Sequence, residues 1–204
     1  IDFNATPAAA SRPFDKNHAG FVLSEGAAVL VLERLSHAQK RGATPLAIIS
    51  GYGTSGDAFH LTASAPDGEG GQRAMKQALR MAQLEPKDIS YINAHSTSTP
   101  VGDSAEVAGI SAVFEGRGKD LPVTSTKSSV GHLLGAAGAI EAVYSILALR
   151  NKIVPAGLNI EDPMPEADKY ELAPNAPKEW DIKHVLSNGF GFGGVNASLI
   201  FSEI

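Results

Sequence analysis

Cysteine is absent from the 204 residues of this chain. That absence excludes a disulfide scaffold, a cysteine-ligated zinc site and a cysteine nucleophile within the chain. Basic residues are also few: the chain has 17 Lys and Arg and 22 Asp and Glu. The basic residues form no cluster of the kind that marks a nucleic-acid surface. No apolar run approaches the roughly 20 residues that cross a bilayer, and no secretory signal opens the chain. The composition therefore predicts a protein with neither nucleic-acid nor membrane partners.

The hydrophobic pattern alternates between strand-like and helix-like segments. Strands are predicted at 27–32, 46–50, 89–93, 121–125, 184–188 and 197–201, and helices at 33–42, 72–84, from a cap at Asp103 to Phe114, and 136–150. A glycine-rich loop is predicted over 51–71, and extended or turn structure over 155–177. Such alternation indicates one compact α/β unit with a mostly parallel sheet and an antiparallel final pair of strands.

Two of the predicted helices have a clear apolar face. Met75, Ala78, Leu79 and Ala82 share one side of the helix at 72–84. In the helix at 136–150 the repeat of Ile140, Val143, Tyr144 and Leu147 predicts the buried side. In the helix that begins at Asp103, the spacing of that residue to Glu106 resembles a capping box.

Two segments match the G-x-G-x-x-G pattern, one over 51–56 and one over 189–194. A dinucleotide site requires a helix directly after the glycines, so that the helix N-terminus can hold the pyrophosphate. A long loop follows the first segment and a strand-like run follows the second, so neither predicts a nucleotide site. Glycine at these positions instead indicates a sharp turn or the close approach of another group.

Histidines follow two successive predicted strands. His95 comes after the strand at 89–93, and His132, with Lys127 close by, comes after the strand at 121–125. Ligands of open α/β sheets bind beyond the carboxyl ends of strands, so these side chains are expected to converge in a site. A metal would need a third ligand such as Asp103 or Asp57, and the spacing of the histidines is not that of a metal motif. His18, His37 and His184 lack supporting neighbours in the sequence.

Long motifs then identify a family resemblance. The segments INAHSTSTPVGD (92–103), TSTKSSVGHLLGAAGAIEA (124–142) and SNGFGFGGVNASLIF (187–201) closely resemble the C-terminal half of a β-ketoacyl-[acyl carrier protein] synthase of the elongating, type II kind. The resemblance extends to 11–33 and 55–62, so it covers nearly the whole chain.

The resemblance implies a thiolase-like fold, in which two similar α/β halves stack as αβαβα layers and the protein is a homodimer. Residues 1–204 would form the C-terminal half, and the nucleophilic cysteine would lie on the absent N-terminal half. Because the chain begins at Ile1, we expect it to be a fragment, a processed product or a trimmed chain. The implied reaction is a decarboxylative Claisen condensation between malonyl-ACP and an acyl-enzyme, in fatty-acid elongation.

The resemblance also assigns roles to residues. His95, His132 and Lys127 would be the catalytic residues. The two histidines would stabilise the oxyanion, and Lys127 would form a buried ion pair with Glu141. Glu141 and Asp103 would order the site. The residues expected to bind or gate substrate are Thr97, Thr99, Phe192, Gly193, Asp57, His60 and Thr62. No metal or cofactor is expected, because the phosphopantetheine arm belongs to the acyl carrier protein substrate.

Three residues depart from the family pattern: Ser96 replaces Gly or Ala, Gly189 replaces Ser and Val195 replaces Thr. The implied partners are acyl carrier protein, malonyl and acyl thioesters, and a second full-length chain, in the cytoplasm or an organellar matrix. Alternatives remain a non-catalytic partner such as a chain-length factor, a polyketide ketosynthase and a thiolase-type enzyme that uses coenzyme A. The acyl chain length is left open by the sequence.

Overall fold

The computed structural model describes residues 3–204. The helices are α1 (Leu35–Lys40), α2 (Glu69–Ala82), α3 (Pro100–Val113), α4 (Lys127–Val130) and α5 (Ala137–Asn151). The strands are β1 (Ile48–Gly56), β2 (Tyr91–Asn93), β3 (Val123–Thr124), β4 (Ile153–Val154), β5 (Lys178–Glu179), β6 (His184–Gly191) and β7 (Val195–Ser202). Short 3-10 turns occur at Pro7–Ala9, Pro86–Asp88 and Leu134–Ala136. Among the described residues, no helix is both long and apolar enough to cross a membrane.

The main sheet has five strands in the order β1-β7-β6-β2-β3. β6 and β7 form an antiparallel hairpin and β1 joins β7 antiparallel, whereas β2 is parallel to both β6 and β3. The expected antiparallel final pair is confirmed. β7 runs against both of its neighbours, whereas β1, β6, β2 and β3 all run in the same direction. The sheet is therefore mixed, and the expectation of a mostly parallel sheet is confirmed for four of its five strands.

Alternate residues of the central strands face two separate cores. Leu186 of β6 and Ile200 of β7 pack with α2 and α3, while Val185 and Phe201 pack on the other side with α5. The sheet therefore lies between a layer of two helices and a layer of one, in an αβα arrangement. The lead-in before α1 contributes Phe14 to the first of these cores.

Three local predictions are corrected by the structure. The apolar run at 27–32 forms no strand within residues 3–204, and Val29 and Val31 are exposed. The predicted loop at 51–71 is shorter at both ends, because β1 continues through Gly56 and α2 already begins at Glu69. The capping box at Asp103 is wrong, since α3 begins at Pro100 and Thr99 is its N-cap.

The buried side of α5 also differs from the prediction. Ala142, Ser145, Ala148 and Leu149 are buried, whereas Leu147 of the predicted face is 48% exposed. In α3, Val107 and Ile110 are buried, as is Phe114 directly after the helix.

The first glycine-rich segment lies in β1, where the backbone of α2 approaches closely. A Cβ atom on Gly53 would lie 2.7 Å from the backbone nitrogen of Ala78 and deep inside contact distance of the Ala74 carbonyl oxygen. The glycine requirement is therefore close packing of a helix on a strand, which is one of the two reasons expected from the sequence.

Candidate functional site

The two histidines meet at the carboxyl ends of the parallel strands. β2 ends at Asn93 and β3 at Thr124, and these two residues are paired in register. The loops that leave the strands bring the rings of His95 and His132 to a centroid distance of 5.3 Å, at an interplanar angle of 83°. The convergence expected from the sequence is therefore present. The two rings are therefore in edge-to-face contact.

Lys127 begins α4, directly beneath the histidines, and is only 1% exposed. Its Nζ donates to Oε1 of Glu141, which lies 14 residues further along the chain on α5 and is 2% exposed. Burial raises the pKa of Glu141, and the Lys127 ammonium opposes that rise. The pair places a fixed ammonium in the centre of the site without leaving an isolated buried charge.

Both histidines are held in the neutral form. Burial and the nearby Lys127 ammonium lower the pKa of His132 to about 4, and the same two causes, with His132 itself, lower the pKa of His95 well below its usual value. Both pKa values fall because protonation of either ring would bury a second positive charge beside the ammonium. At neutral pH each ring therefore has one N–H donor and one acceptor nitrogen.

The tautomer of His132 is fixed by the backbone. The Leu134 N–H donates to His132 Nδ1 at 3.3 Å, so the ring proton resides on Nε2. The Nδ1 atom of His95 is buried and has no hydrogen-bond partner within residues 3–204. A neutral His132 thus presents an Nε2–H donor, as oxyanion stabilisation requires.

Glu106 is a buried carboxylate beside His95 that the sequence prediction of site residues missed. Its carboxylate accepts the backbone N–H groups of His95 at 2.9 Å and Ser96 at 2.6 Å, and also the side-chain amide of Asn188 at 3.0 Å. Burial raises its pKa, and these donors oppose the rise. The signal was an acidic residue on the buried face of α3, because a carboxylate there requires hydrogen-bond donors.

Ser96 adds a side-chain contact to this carboxylate. Its hydroxyl donates to Glu106 at 2.8 Å, while its carbonyl accepts the Ser125 hydroxyl at 2.7 Å. The serine that departs from the family pattern therefore strengthens the anchor of the His95 loop. A Cβ on Gly189 would meet no atom within 4 Å, and Val195 is 62% exposed, so these two departures disturb no packing among the described residues.

Asp103 is fully buried, and its carboxylate reaches back to the lead-in segment. It accepts hydrogen bonds from the backbone N–H groups of Phe14 and Ser98, both at 3.1 Å, and pairs with Nδ1 of His18 at 2.9 Å. The expectation that His18 lacks supporting neighbours is therefore wrong, as it is for His37 and His184. His37 pairs with Glu33, and His184 bonds to Ser202.

The residues expected to bind the pantetheine arm lie on the same loop as His95. The hydroxyls of Thr97 and Thr99 are 3.0 Å apart and hydrogen-bonded to each other. Thr99 is partly exposed, whereas Thr97 is 9% exposed. The pair therefore lies at the partly exposed edge of the His95 loop.

The expected gate residues form one connected unit. Asn196 donates to Asp57 at 2.5 Å, the backbone N–H of Asp57 donates to Gly194 at 2.8 Å, and that of Gly193 donates to Leu61 at 2.6 Å. His60 and Thr62 are exposed, and the Thr62 N–H donates to His60 Nδ1 at 3.2 Å. The loop at 57–62 is thus bound to the hairpin turn between β6 and β7.

Phe192 is at the tip of that turn and is 69% exposed. The aromatic ring beside His95 is that of Phe190, with a centroid distance of 6.0 Å. Phe190 lies in the second glycine-rich segment, 189–194, and the sequence predicted no role for it. Its place at the carboxyl end of β6, which runs parallel to β2, brings it to the histidines.

Within the described part of the chain, no group of three or more His, Asp or Glu side chains has the geometry to hold a metal ion.

Comparisons with known proteins match the chain to one family. The family model described as beta-ketoacyl synthase, C-terminal domain, matches residues 46–161, and the model described as beta-ketoacyl synthase, N-terminal domain, matches residues 3–38. The 3-oxoacyl-[acyl-carrier-protein] synthase 2 of Staphylococcus aureus is 51% identical over 194 residues, which cover 95% of this chain and 47% of the relative.

Two solved structures extend the comparison. A beta-ketoacyl synthase from Burkholderia phymatum STM815 superposes with a TM-score of 0.93 at 41% identity, over 98% of this chain and 48% of that chain. The structure of a type II PKS acyl-carrier protein in complex with its ketosynthase, bound to the hexaketide, gives a TM-score of 0.94 at 34% identity. The match covers 98% of this chain and 48% of that chain. The expected thiolase-like, mixed α/β fold is confirmed. The chain spans about half the length of the relatives it matches.

Proposed function

Because the chain belongs to the β-ketoacyl synthase family, we propose that it supplies the oxyanion-binding part of a 3-oxoacyl-[acyl-carrier-protein] synthase. One observation carries the proposal: the rings of His95 and His132 meet at 5.3 Å above the buried pair of Lys127 and Glu141. Two neutral imidazoles beside a fixed ammonium suit a reaction that develops negative charge on a thioester oxygen.

The proposed chemistry begins with a malonyl thioester. Its terminal carbon–carbon bond breaks, CO2 leaves, and the electron pair moves onto the thioester oxygen as an enolate. Donors from His95 and His132 stabilise that oxygen, and the low pKa of His132 keeps the ring neutral so that no proton is lost to the enolate. The enolate carbon then attacks an acyl thioester on a cysteine, whose carbon–sulfur bond breaks to release the thiolate and a 3-oxoacyl product.

The nucleophilic cysteine is proposed to lie on the N-terminal half, with residues 1–204 as the C-terminal half. The composition supports this division, because no cysteine is present in the chain. We expect residues 1–204 alone to catalyse no condensation. Condensation by the isolated chain would contradict this division of the site.

The proposed substrates are malonyl and acyl groups on acyl carrier protein, in fatty-acid elongation. The name of the S. aureus relative and the solved complex of an acyl-carrier protein with its ketosynthase support this substrate class. The phosphopantetheine arm then arrives with the carrier protein, so the chain itself needs no cofactor. We propose also that the full-length protein is a homodimer in the cytoplasm or an organellar matrix.

The first prediction concerns His132. In the chain joined to its nucleophile-bearing half, His132→Ala should lower the rate of malonyl-ACP decarboxylation by about 10²- to 10³-fold, because one oxyanion donor is lost. Release of CO2 from labelled malonyl-ACP measures the rate. His184→Ala is the matched control, because His184 is also partly buried but lies at the start of β6, away from the end of that strand near His95. Equal rates for wild type and His132→Ala would remove His132 from the mechanism.

The same assay separates the alternative functions. A non-catalytic partner would consume no malonyl thioester even with the missing half, although the retained geometry of His95, Lys127 and His132 speaks against that outcome. A thiolase-type enzyme would consume an acetyl thioester of coenzyme A without release of CO2. Release of CO2 from malonyl-ACP supports the proposed synthase over both.

A further inference from the structure

One segment of the lead-in contacts the loops of both histidines. We name residues 11–24 the strap. Its Val22 carbonyl accepts the His132 N–H at 2.7 Å, and its Ser24 N–H donates to the His132 carbonyl at 3.1 Å. Two residues before Val22, the Gly20 N–H donates to the Ser98 carbonyl at 2.8 Å. The strap therefore links the backbone of one catalytic loop to the backbone of the other.

The strap is joined to the His95 loop through a buried carboxylate. Asp103 is 0% exposed, and it accepts the N–H groups of Phe14 from the strap and Ser98 from the loop. Both of these residues have a φ of +69°, a left-handed conformation that non-glycine residues seldom adopt. The carboxylate thus holds two unfavourable backbone conformations in place at once.

His18 provides a further contact to this carboxylate. Its Nδ1 lies 2.9 Å from Asp103 Oδ2, and its side chain is only 8% exposed. Of the described residues, it is the only one whose side chain is hydrogen-bonded to Asp103, since the other two donors are backbone N–H groups. A change of this single side chain can therefore loosen the junction without altering the backbone donors.

We propose that His18 is a positioning residue for the two catalytic histidines. The Nδ1–H group of His18 donates to Asp103 and locks the strap onto the His95 loop, while the strap at Val22 and Ser24 holds the backbone of His132. The two rings then keep the spacing at which both can donate to one oxygen. This inference rests on the proposed function, because the spacing has a catalytic meaning only if the two rings bind an oxyanion.

Two substitutions separate the hydrogen bond from the shape of the side chain. His18→Asn places an amide N–H donor at the same number of bonds from Cβ as Nδ1, so it should preserve the contact with Asp103. His18→Leu fills a similar space but cannot donate. His184→Leu is the control, since it removes a partly buried histidine whose Nδ1 bonds to Ser202, away from the catalytic loops.

The kinetic experiment uses the chain joined to its nucleophile-bearing half. His18→Leu should lower kcat for malonyl-ACP decarboxylation about 10- to 100-fold with little change in KM, because misplacement of a catalytic group by about 1 Å costs up to that much. His18→Asn should recover most of the loss, and His184→Leu should retain the kcat of wild type. A kcat for His18→Leu equal to that of wild type would overturn the proposal.

A second measurement on the full chain of 204 residues is independent of catalysis. The ¹⁵N shift of His18 Nδ1 should be that of a protonated nitrogen, and the Ser98 amide should exchange with solvent faster in His18→Leu than in His18→Asn. An unprotonated Nδ1 in wild type would refute the contact even if His18→Leu fails to fold. If wild type does not decarboxylate malonyl-ACP, the proposed function fails, whereas these two readouts still decide whether His18 holds the loop.

Discussion

His132 combines two properties that a catalytic imidazole needs. The Leu134 N–H fixes its tautomer, and burial together with the Lys127 ammonium lowers its pKa to about 4. Each property arises from residues close to it in sequence, on the loop and short helix that follow β3. The ring is consequently neutral at physiological pH, with Nε2–H available to an oxyanion.

The lowered pKa of His132 predicts a pH dependence of stability. The unfolded chain protonates this ring near pH 6.5, whereas the folded chain does so near pH 4. Between these values the unfolded state binds more protons, so the free energy of unfolding should fall as the pH falls through this window and its His132 component should be constant below it. Urea denaturation at several pH values measures the slope.

The matched variant for this prediction is His132→Gln, which has no titratable group at this position. Its free energy of unfolding should fall less steeply than that of wild type between pH 6.5 and about pH 4. Identical slopes for the two proteins would mean that His132 titrates in the folded chain as it does in the unfolded chain.

At the scale of elements, α2 and β1 are packed so closely that their contact tolerates no side chain. The backbone of α2 lies against Gly51 and Gly53 of β1. This contact sets the position of β1 at the edge of the sheet. It also sets the start of the loop at 57–62, which leaves that strand and binds the hairpin turn.

Gly53→Ala is therefore expected to destabilise the protein by about 1–3 kcal/mol or more, because the new Cβ would overlap the Ala74 carbonyl and force the helix outward. Gly56→Ala is the control in the same strand, since a Cβ there would meet no atom within 4 Å. Urea denaturation compares the two. Equal stability of both variants would show that α2 can move away from β1 without loss.

The helix α5 shows why periodicity alone selects the wrong face. It is apolar on two sides, with Ala142, Ala148 and Leu149 packed on the sheet and Leu147 on the opposite side. An all-round apolar helix is typical of an element buried on both sides in a larger protein. That pattern fits the proposal that a second half packs against the outer side of α5.

At the scale of the whole molecule, the apolar run at 27–32 has no strand partner among residues 3–204. Val29 is 88% exposed, Val31 is 83% exposed and Leu32 is 70% exposed. The family model for the N-terminal domain matches residues 3–38, which contain this run. We therefore expect the run to become a buried strand when the N-terminal half is present.

Hydrogen exchange tests this expectation. In the chain alone, the backbone amides of 27–32 should exchange rapidly, and after union with the N-terminal half they should become protected as they enter a ladder of backbone hydrogen bonds. The amides of β7, which is already paired on both sides, serve as the internal control and should be protected in both samples. Fast exchange at 27–32 in the joined protein would contradict the expected strand.

The sequence by itself determined the family, the alternation of helices and strands and the position of the two loops that carry His95 and His132. These features are encoded locally, since a motif such as NAHSTSTP is read directly and the carboxyl ends of parallel strands meet at one edge. The same local reasoning placed His95 and His132 together, whereas the pairing of Lys127 with Glu141 was implied by the family resemblance. The prediction that residues 1–204 form one C-terminal half-domain, and the catalytic and binding roles of the site residues, stay predictions.

Only the tertiary structure decided which distant groups meet. Asp103 pairs with His18 across 85 positions of sequence, and Glu106 accepts from Asn188 across 82. No periodicity encodes such contacts, because each depends on where a loop crosses the end of the sheet. The structure also placed β1 beside β7 and chose the buried side of α5, because burial follows from the packing of the whole sheet and not from the pattern of one segment.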